Sequence, residues 1–580
     1  MAKRPIRCYY LLALFLVGTT LLVFWPVCRH EFVLWDDQVN VYENPFLHPV
    51  TPSNLCHLWK RPHENLYIPL TYTIWAGIAH VTQRTATEKT EAQFNSFLFH
   101  AMNLVLHILS ILVVFAILKI LFANDWASCC GAMLFALHPL QVEPVAWVTG
   151  MKDVLCGLLS LVALWQYLKY VHSRATGYAR RARANAVLAT LAFILALFAK
   201  PLAVVVPVMA WLLANSCQKQ GNLRLTFRNP GLLLAAWVVI AIPFIVITKL
   251  AQGTSLGFVT PLWARPLVAG DALSFYVYKL LFPSPLSIDY GRSPDYLLQH
   301  GWALITGLAP YALGGLLWVF RDRVQWLLAS AAVFVIGLLP ALGLIPFRFQ
   351  NYSTVADRYM YLAMLGPGMV VAGLVSYRPS WISKSLVVST CVVVVSLLGL
   401  RSSFQIHIWH ANAALFEHAL QVNPSSSASH NNHGSVLLQL GRTAEALCHY
   451  REAIRIRPKN AEAHNNLGIV LVSRGEVGDA IGHFAEALNI KPDFADAHYN
   501  LGIALSKNGK LLEAIAQYKR GLQIEPDDLE AHNNLGNALL VEGKIEEAIF
   551  HYQEVLRMDS NNTHARQNLS VAMAMKLKSE

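Results

Sequence analysis

Residues 464–492 read HNNLGIVLVSRGEVGDAIGHFAEALNIKP, and this stretch decides the fold of the C-terminal part of the chain. Moved by 34 residues the same text returns: HNNHG at 430–434, HYNLG at 498–502 and HNNLG at 532–536. Gly441, Gly475, Gly509 and Gly543 fall in register, as do Ala446, Ala480, Ala514 and Ala548. So do the aromatic residues Tyr450, Phe484, Tyr518 and Tyr552, and Pro458, Pro492 and Pro526 close successive units. Small residues at a fixed spacing let two helices cross closely, an aromatic ring fills the space between them, and proline stops the second helix. The period therefore predicts a stack of helix–turn–helix units.

This pattern resembles the tetratricopeptide repeat. Four full repeats are expected, with partial ones at each end: Trp409 to Pro424 before the array and a helix beginning at Arg566 after it. Arrays of this kind form an α-solenoid whose concave face binds extended peptides. Asn432, Asn466, Asn500 and Asn534 recur at one position and are candidates for acceptor binding, because a carboxamide both donates to and accepts from a peptide backbone. The competing reading is that they tie one helix to the next. His430, His464, His498 and His532 also recur, but a full repeat separates neighbours, so packing is expected rather than metal binding.

Outward from the array, toward the N-terminus, the character changes. The chain of 580 residues is 55% hydrophobic and 14% charged, with a mean hydropathy of +0.40, too apolar for a soluble protein of this length. A first apolar span runs from about Cys8 to Val27. Others are expected at 97–120, 127–140, 152–171, 186–200, 201–216, 231–249, 301–320, 325–345, 360–377 and 384–400, about eleven in all. Residues 1–402 are thus read as a polytopic helical membrane domain and 403–580 as the repeat domain, an all-α protein. The net charge of +11 does not indicate a nucleic-acid binder, because the Lys and Arg sit in short loops between spans. Nine cysteines without CxxC spacing suggest neither a zinc site nor a disulfide framework.

Charge sets the sidedness. Lys3, Arg4 and Arg7 precede the first span and place the N-terminus in the cytosol, as an uncleaved anchor. Alternating from there puts Arg174/Arg180/Arg181/Arg183, Lys219/Arg224/Arg228, Arg321/Arg323 and Arg378/Lys384 on the cytosolic side, and an odd number of spans sends the repeats to the lumen. The N-glycosylation candidates Asn351, Asn561 and Asn568 agree with that sidedness. Two luminal loops are long, Cys28 to Gln93 and about 250–300, and long loops in a membrane domain are usually functional.

Three polar groups stand out against this apolar background. Trp35-Asp36-Asp37 follows the first span; His138, Glu143, Lys152 and Asp153 form a second set; Arg348, Asp357 and Arg358 form a third. Ionisable groups at a membrane are costly and mark functional sites by default. An enzyme using an activated lipid-linked donor needs a carboxylate to take a proton from an acceptor hydroxyl and cations to hold the phosphate leaving group. Asp36 or Asp37 is the candidate catalytic base. Lys60, Arg61, His63, Arg265, Lys279 and Arg292 join Arg348 and Arg358 as candidate phosphate contacts. The bland alternatives are a turn or cap just past the helix for Asp36-Asp37, a structural buried pair within the His138, Glu143, Lys152 and Asp153 set, and an internal salt bridge between Asp357 and Arg358.

Trp35-Asp36-Asp37 with Asn44-Pro45, the run from His138 to Trp147 with Lys152-Asp153, the run from Ala356 to Tyr361, and the repeats together resemble the transmembrane and tetratricopeptide-repeat family, over essentially the whole chain. The resemblance implies a GT-C type glycosyltransferase of the endoplasmic reticulum membrane. It would use dolichyl-phosphate mannose to O-mannosylate Ser/Thr on cadherin-type luminal domains, with Asp36-Asp37 as the presumed catalytic motif. A single displacement would invert the anomeric centre, turning a β-linked donor into an α-linked product. No metal or cofactor beyond the lipid donor is expected. The array is shorter than family members usually carry, which bears on acceptor binding more than on chemistry. A membrane-anchored luminal scaffold is the alternative, though an anchor needs one span; a transporter ranks third, because acids within the spans are scarce.

Overall fold

The computed structural model describes residues 6–85, 94–219, 230–252, 259–377 and 381–579. Lys3, Arg4, Arg224, Arg228 and Arg378, which carry part of the sidedness reading, lie outside them, as do residues 86–93 of the first long loop. The chain divides into two compact units, 1–423 and 424–580. Helix Asn412–Val422 belongs to the first, although it lies on the repeat side of the 402/403 division expected from sequence: Asn412 donates to the Phe32 carbonyl and accepts from the Leu34 N–H, which pins it to the first loop.

Every apolar segment expected as a span coincides with a helix, but the helices differ in reach. Among the described residues six qualify by length and composition to cross a membrane: Cys8–Arg29, Ser96–Phe122, Met151–Ala175, Ala179–Ala199, Gly231–Ala251 and Ser385–Ile408. A seventh is a bent pair, Asp357–Ala363 and Leu365–Ser376, broken by 51°. Asp125–Leu137, Pro201–Ser216, Ala303–Val319 and Gln325–Ala341 are apolar but shorter than the ~20 residues that span a bilayer core. The prolines explain two of these limits. Pro139 and Pro201 each open a short 3₁₀ turn, and a proline ring cannot continue the preceding helix.

Helix Met151–Ala175 is the centre of the bundle, with 78% of its apolar window buried against 17% for Gly231–Ala251 and for Ser385–Ile408. Its first turn therefore carries Lys152 and Asp153 into the middle of the unit. Glycines set the closest helix crossings, as expected where lipid supplies no hydrophobic drive for association. A Cβ on Gly131 would strike the Gly368 carbonyl, and one on Gly270 would strike the Gly307 carbonyl. The second crossing joins helix Arg265–Leu281, a well-formed element inside the long 250–300 loop, to helix Ala303–Val319.

In the second unit, helices Ser427–Gln439 through Ile545–Met558 form four helix pairs, followed by Thr563–Ser579. Two kinds of repeated glycine do different work. Gly434, Gly468, Gly502 and Gly536 lie under the rings of Tyr450, Phe484, Tyr518 and Tyr552, where a Cβ would come within 2.6–2.8 Å of a ring carbon. Gly441, Gly475, Gly509 and Gly543 are in the turns, with φ between 74° and 83°, a left-handed conformation that costs other residues energy. These four serve the turn, not the helix crossing expected from the pattern.

Candidate functional site

The first long loop leaves the span at Arg29, and Asp37 fastens it to the turn before helix Met151–Ala175. Asp37 is fully buried. Its Oδ1 accepts the Thr149 N–H at 2.8 Å and the Thr149 hydroxyl at 2.5 Å, and its Oδ2 accepts the Val33 N–H at 2.9 Å. Burial pushes its pKa up to about 6 in spite of those three donors. Asp36 points the other way. Its side chain is 39% exposed, and its Oδ2 stands 3.7 Å from Lys152 Nζ. Adjacent acids thus have opposite surroundings: one is used up inside, and the other faces out beside a cation.

The turn before helix Met151–Ala175 positions the rest. A Cβ on Gly150 would strike the Pro144 carbonyl, so the chain from Val142 to Gly150 is tightly folded. That fold sets Glu143, Trp147 and Lys152 close together. Lys152 Nζ lies 5.0 Å above the Trp147 ring, and the Arg358 guanidinium lies 5.3 Å from it. Arg358 pairs with Glu143 at 2.5 Å, both side chains nearly inaccessible. Asp153 pairs with Lys200 at 2.5 Å. Three cations, Lys152, Lys200 and Arg358, therefore oppose three acids, Asp36, Asp153 and Glu143, within mutual Coulombic reach. Two buried polar atoms at this place, Asp153 Oδ2 and Trp147 Nε1, have no hydrogen-bond partner among the described residues.

The structure sorts the sequence candidates. It brings together Asp36, Asp37, Glu143, Lys152, Asp153 and Arg358. Asp357 lies alongside: its carboxylate accepts from the Tyr290 hydroxyl at 2.8 Å, so Arg358 pairs with Glu143 and not with its neighbour, contrary to the internal salt bridge considered above. His138 stands apart from the acids. Its Nδ1 accepts the Leu140 N–H, which leaves Nε2 to donate to the Leu280 carbonyl, and both ring nitrogens are spent on holding backbone. Arg348 is exposed and stands at the Asn65 carboxamide, which takes it on the oxygen in the orientation that satisfies both amide atoms. Lys200 was missed in the sequence reading. Its signal was a lysine directly before Pro201 between two apolar segments, where the proline break carries it into the bundle.

In the repeat unit, Asn466 and Asn500 donate to the Asn431 and Asn465 carboxamides at 3.0 Å, and Asn534 donates to the Tyr499 hydroxyl at 2.7 Å, each one repeat back. Asn432 accepts from the Asn431 amide. The recurring asparagines thus form a ladder between repeats. Each recurring histidine bridges two ways: His464 Nδ1 meets His483 in its own repeat and its Nε2 meets the carbonyl of Pro458, which closes the unit before, and the same pattern holds at His430 and His532. Among the N-glycosylation candidates, Asn561 is exposed in a turn, Asn351 is half-buried, and Asn568 is on a helix with its amide donated to Asn533 and Asn537.

Known proteins resemble both units. The family described as TPR repeat matches residues 434–473, 470–509 and 504–541, and the tetratricopeptide repeat matches 529–562. The chain is 26% identical to the human protein O-mannosyl-transferase TMTC1 over 407 residues, covering 62% of this chain and 45% of that protein. It is 24% identical to the Caenorhabditis elegans protein O-mannosyl-transferase F38B6.6 over 452 residues, covering 75% and 61%. The solved structure of YrrB, a TPR protein with an unusual peptide-binding site, aligns with 29% of this chain and 87% of its own at 26% identity and a TM-score of 0.27. The chain spans less than two thirds of the length of these curated relatives. The relatives bear out the resemblance to the transmembrane and tetratricopeptide-repeat O-mannosyltransferases.

Proposed function

We propose that the chain is a protein O-mannosyltransferase of the endoplasmic reticulum membrane that moves mannose from dolichyl-phosphate mannose to Ser/Thr hydroxyls of luminal, cadherin-type acceptor domains. The observation that carries this reading is the contrast within the acid pair: Asp36 faces outward 3.7 Å from Lys152, while Asp37 is buried and spent on Thr149 and Val33. Asp36 is the general base and Asp37 the positioning residue that fixes the loop bearing it.

In the proposed reaction Asp36 takes the hydroxyl proton as the acceptor oxygen attacks the anomeric carbon. The bond from that carbon to the phosphate oxygen breaks, its electron pair stays on the phosphate, and dolichyl phosphate leaves. The displacement is single and inverts the anomeric centre. Lys152 and Lys200 hold the phosphate, and each has a carboxylate partner, Asp36 and Asp153, to balance its charge. Asp153 Oδ2 and Trp147 Nε1, buried and unpartnered among the described residues, are a ready acceptor and donor for sugar hydroxyls. With lysines neutralising the leaving group, no divalent metal is required. The luminal repeat unit selects the acceptor.

The test is transfer from lipid-linked mannose to an acceptor domain by the purified full chain, with and without a chelator. Chelator-resistant transfer yielding an α-linked product, lost in Asp36→Asn, supports the reading. Absence of transfer to any Ser/Thr acceptor tried, with donor demonstrably bound, refutes it.

A further inference from the structure

A cavity of about 310 Å³ lies apart from the acid cluster, at the end of helix Pro230–Ala251. It is lined by Lys60, Pro62, Tyr67, Ile247, Leu250 and Ala251. One wall comes from the first luminal loop. Helix Pro52–Lys60 ends at its rim, and a tight hairpin follows, with His63 bridged to Leu66 and Glu64 and Asn65 in left-handed conformation. With the Asn65 carboxamide assigned the orientation that satisfies both of its atoms, its N–H donates to the Ala251 carbonyl and its oxygen accepts from Arg348, which ties the hairpin tip to the helix end with a second cation at the tie. The other wall is a candidate membrane span, and Leu250 on it is 76% exposed on an apolar helix.

The lining has two characters. Ile247, Leu250, Pro62 and the Tyr67 ring are apolar; Lys60 is cationic, and no carboxylate partner for it is found among the described residues. The acid of the hairpin, Glu64, lies within Coulombic reach of His63 and Tyr72. A cleft that is greasy on its membrane side and cationic at its rim fits an amphiphile with one anionic head and a long apolar tail.

The cavity is also coupled to the acid cluster. Trp59, next to Lys60, packs on Phe198 at 5.1 Å, and Phe198 in turn packs on Phe244 of the cavity's own helix at 4.9 Å. Phe198 lies two residues before Lys200. On the other side Phe349, next to Arg348, lies 4.4 Å from the Arg358 guanidinium. Arg348 is thus one residue from a ring that touches Arg358, and Lys60 is one residue from a ring packed on Phe198, two residues before Lys200.

We infer that this cavity is a lateral docking site for an isoprenoid phosphate, its tail along Ile247 and Leu250 and its phosphate at Lys60. The inference rests on the lipid-linked donor of the proposed function and adds where the carrier enters. An anionic phospholipid shares the head-group chemistry and is separated by the test below.

The experiment uses the full chain in phosphatidylcholine nanodiscs and a diazirine-bearing polyprenyl phosphate without sugar. Labelling is expected on the segments around residues 59–67 and 244–252, competed by unlabelled polyprenyl phosphate but not by phosphatidylserine or inorganic phosphate. Lys60→Glu and Leu250→Trp should each cut labelling on the order of tenfold, as loss of a charge-assisted contact or of the volume requires. Asp36→Asn should leave it unchanged. Lys60→Glu alters a surface side chain and serves as the folding-neutral arm, checked by unchanged circular dichroism. Labelling elsewhere, labelling indifferent to Lys60→Glu, or equal competition by phosphatidylserine overturns the inference. Site-specific labelling by a chain that transfers no mannose would sink the proposed reaction and leave this site standing.

Discussion

Thr149 gives Asp37 both its backbone N–H and its hydroxyl, at 2.8 and 2.5 Å, across 112 residues of chain. The pair ties the first long loop to the turn that launches the central helix, and it separates two neighbouring acids into different roles.

Asp36→Asn keeps size and removes the base, so the rate of transfer should fall by roughly 100-fold or more with donor binding retained. Asp37→Asn should act through structure instead. Its new amide would face the Thr149 and Val33 N–H donors, leaving buried groups mismatched at a cost of about 1–3 kcal/mol. Thermal unfolding of the two variants beside wild type separates the roles; equal destabilisation by both would contradict them.

The same residue gives stability a pH signature. Burial lifts the Asp37 pKa from 3.8 to about 6. Between those values the folded chain keeps a proton that the unfolded chain has released, so stability is higher at low pH and is lost as pH rises through about 6. At 1.36 kcal/mol per pKa unit the difference is about 3 kcal/mol. Wild type should therefore melt at a lower temperature at pH 7.5 than at pH 5, and Asp37→Asn should lessen that difference. A variant with an unaltered pH dependence argues against the assignment.

Glu143 and Arg358 are a buried pair, and breaking one side strands the other. Arg358→Met should cost about 3–5 kcal/mol, and the double change Glu143→Gln with Arg358→Met should cost less than Arg358→Met alone. A double-mutant cycle of chemical unfolding reads the coupling; additive losses would mean the two do not depend on each other.

Gly468 lies under the Phe484 ring, with a Cβ position 2.6 Å from a ring carbon. Gly468→Ala overpacks that crossing and should destabilise its repeat by about 1–3 kcal/mol. Hydrogen exchange of the full chain should show the loss concentrated in residues 461–490. Wild-type protection there would show that the crossing has slack.

Asn466, Asn500 and Asn534 each donate one repeat back. Changing the three to Ala should raise the apparent KM for acceptor and also lower the melting temperature of the array. A raised KM with unchanged melting would favour direct acceptor contact, and lower melting with unchanged KM would confine them to the ladder. Unchanged values of both would exclude either role.

The repeats and the order of apolar segments were legible from sequence alone, because each depends on local periodicity. A 34-residue register places glycine against ring in every unit whatever surrounds it, and an apolar run makes a helix whatever its neighbours are. Lys152, Asp153, Glu143 and Arg358 were legible as individuals for a similar reason, since charge in apolar sequence is conspicuous. Their partners were not. Arg358 stands next to Asp357 in the chain yet pairs with Glu143, 215 positions away, and Lys200 entered the cluster through a proline break whose direction no periodicity encodes. Asp36 and Asp37 are chemically identical neighbours, and only the tertiary structure exposed one and buried the other. Burial and pairing depend on which distant segment arrives at a side chain, and that is decided when the helices pack.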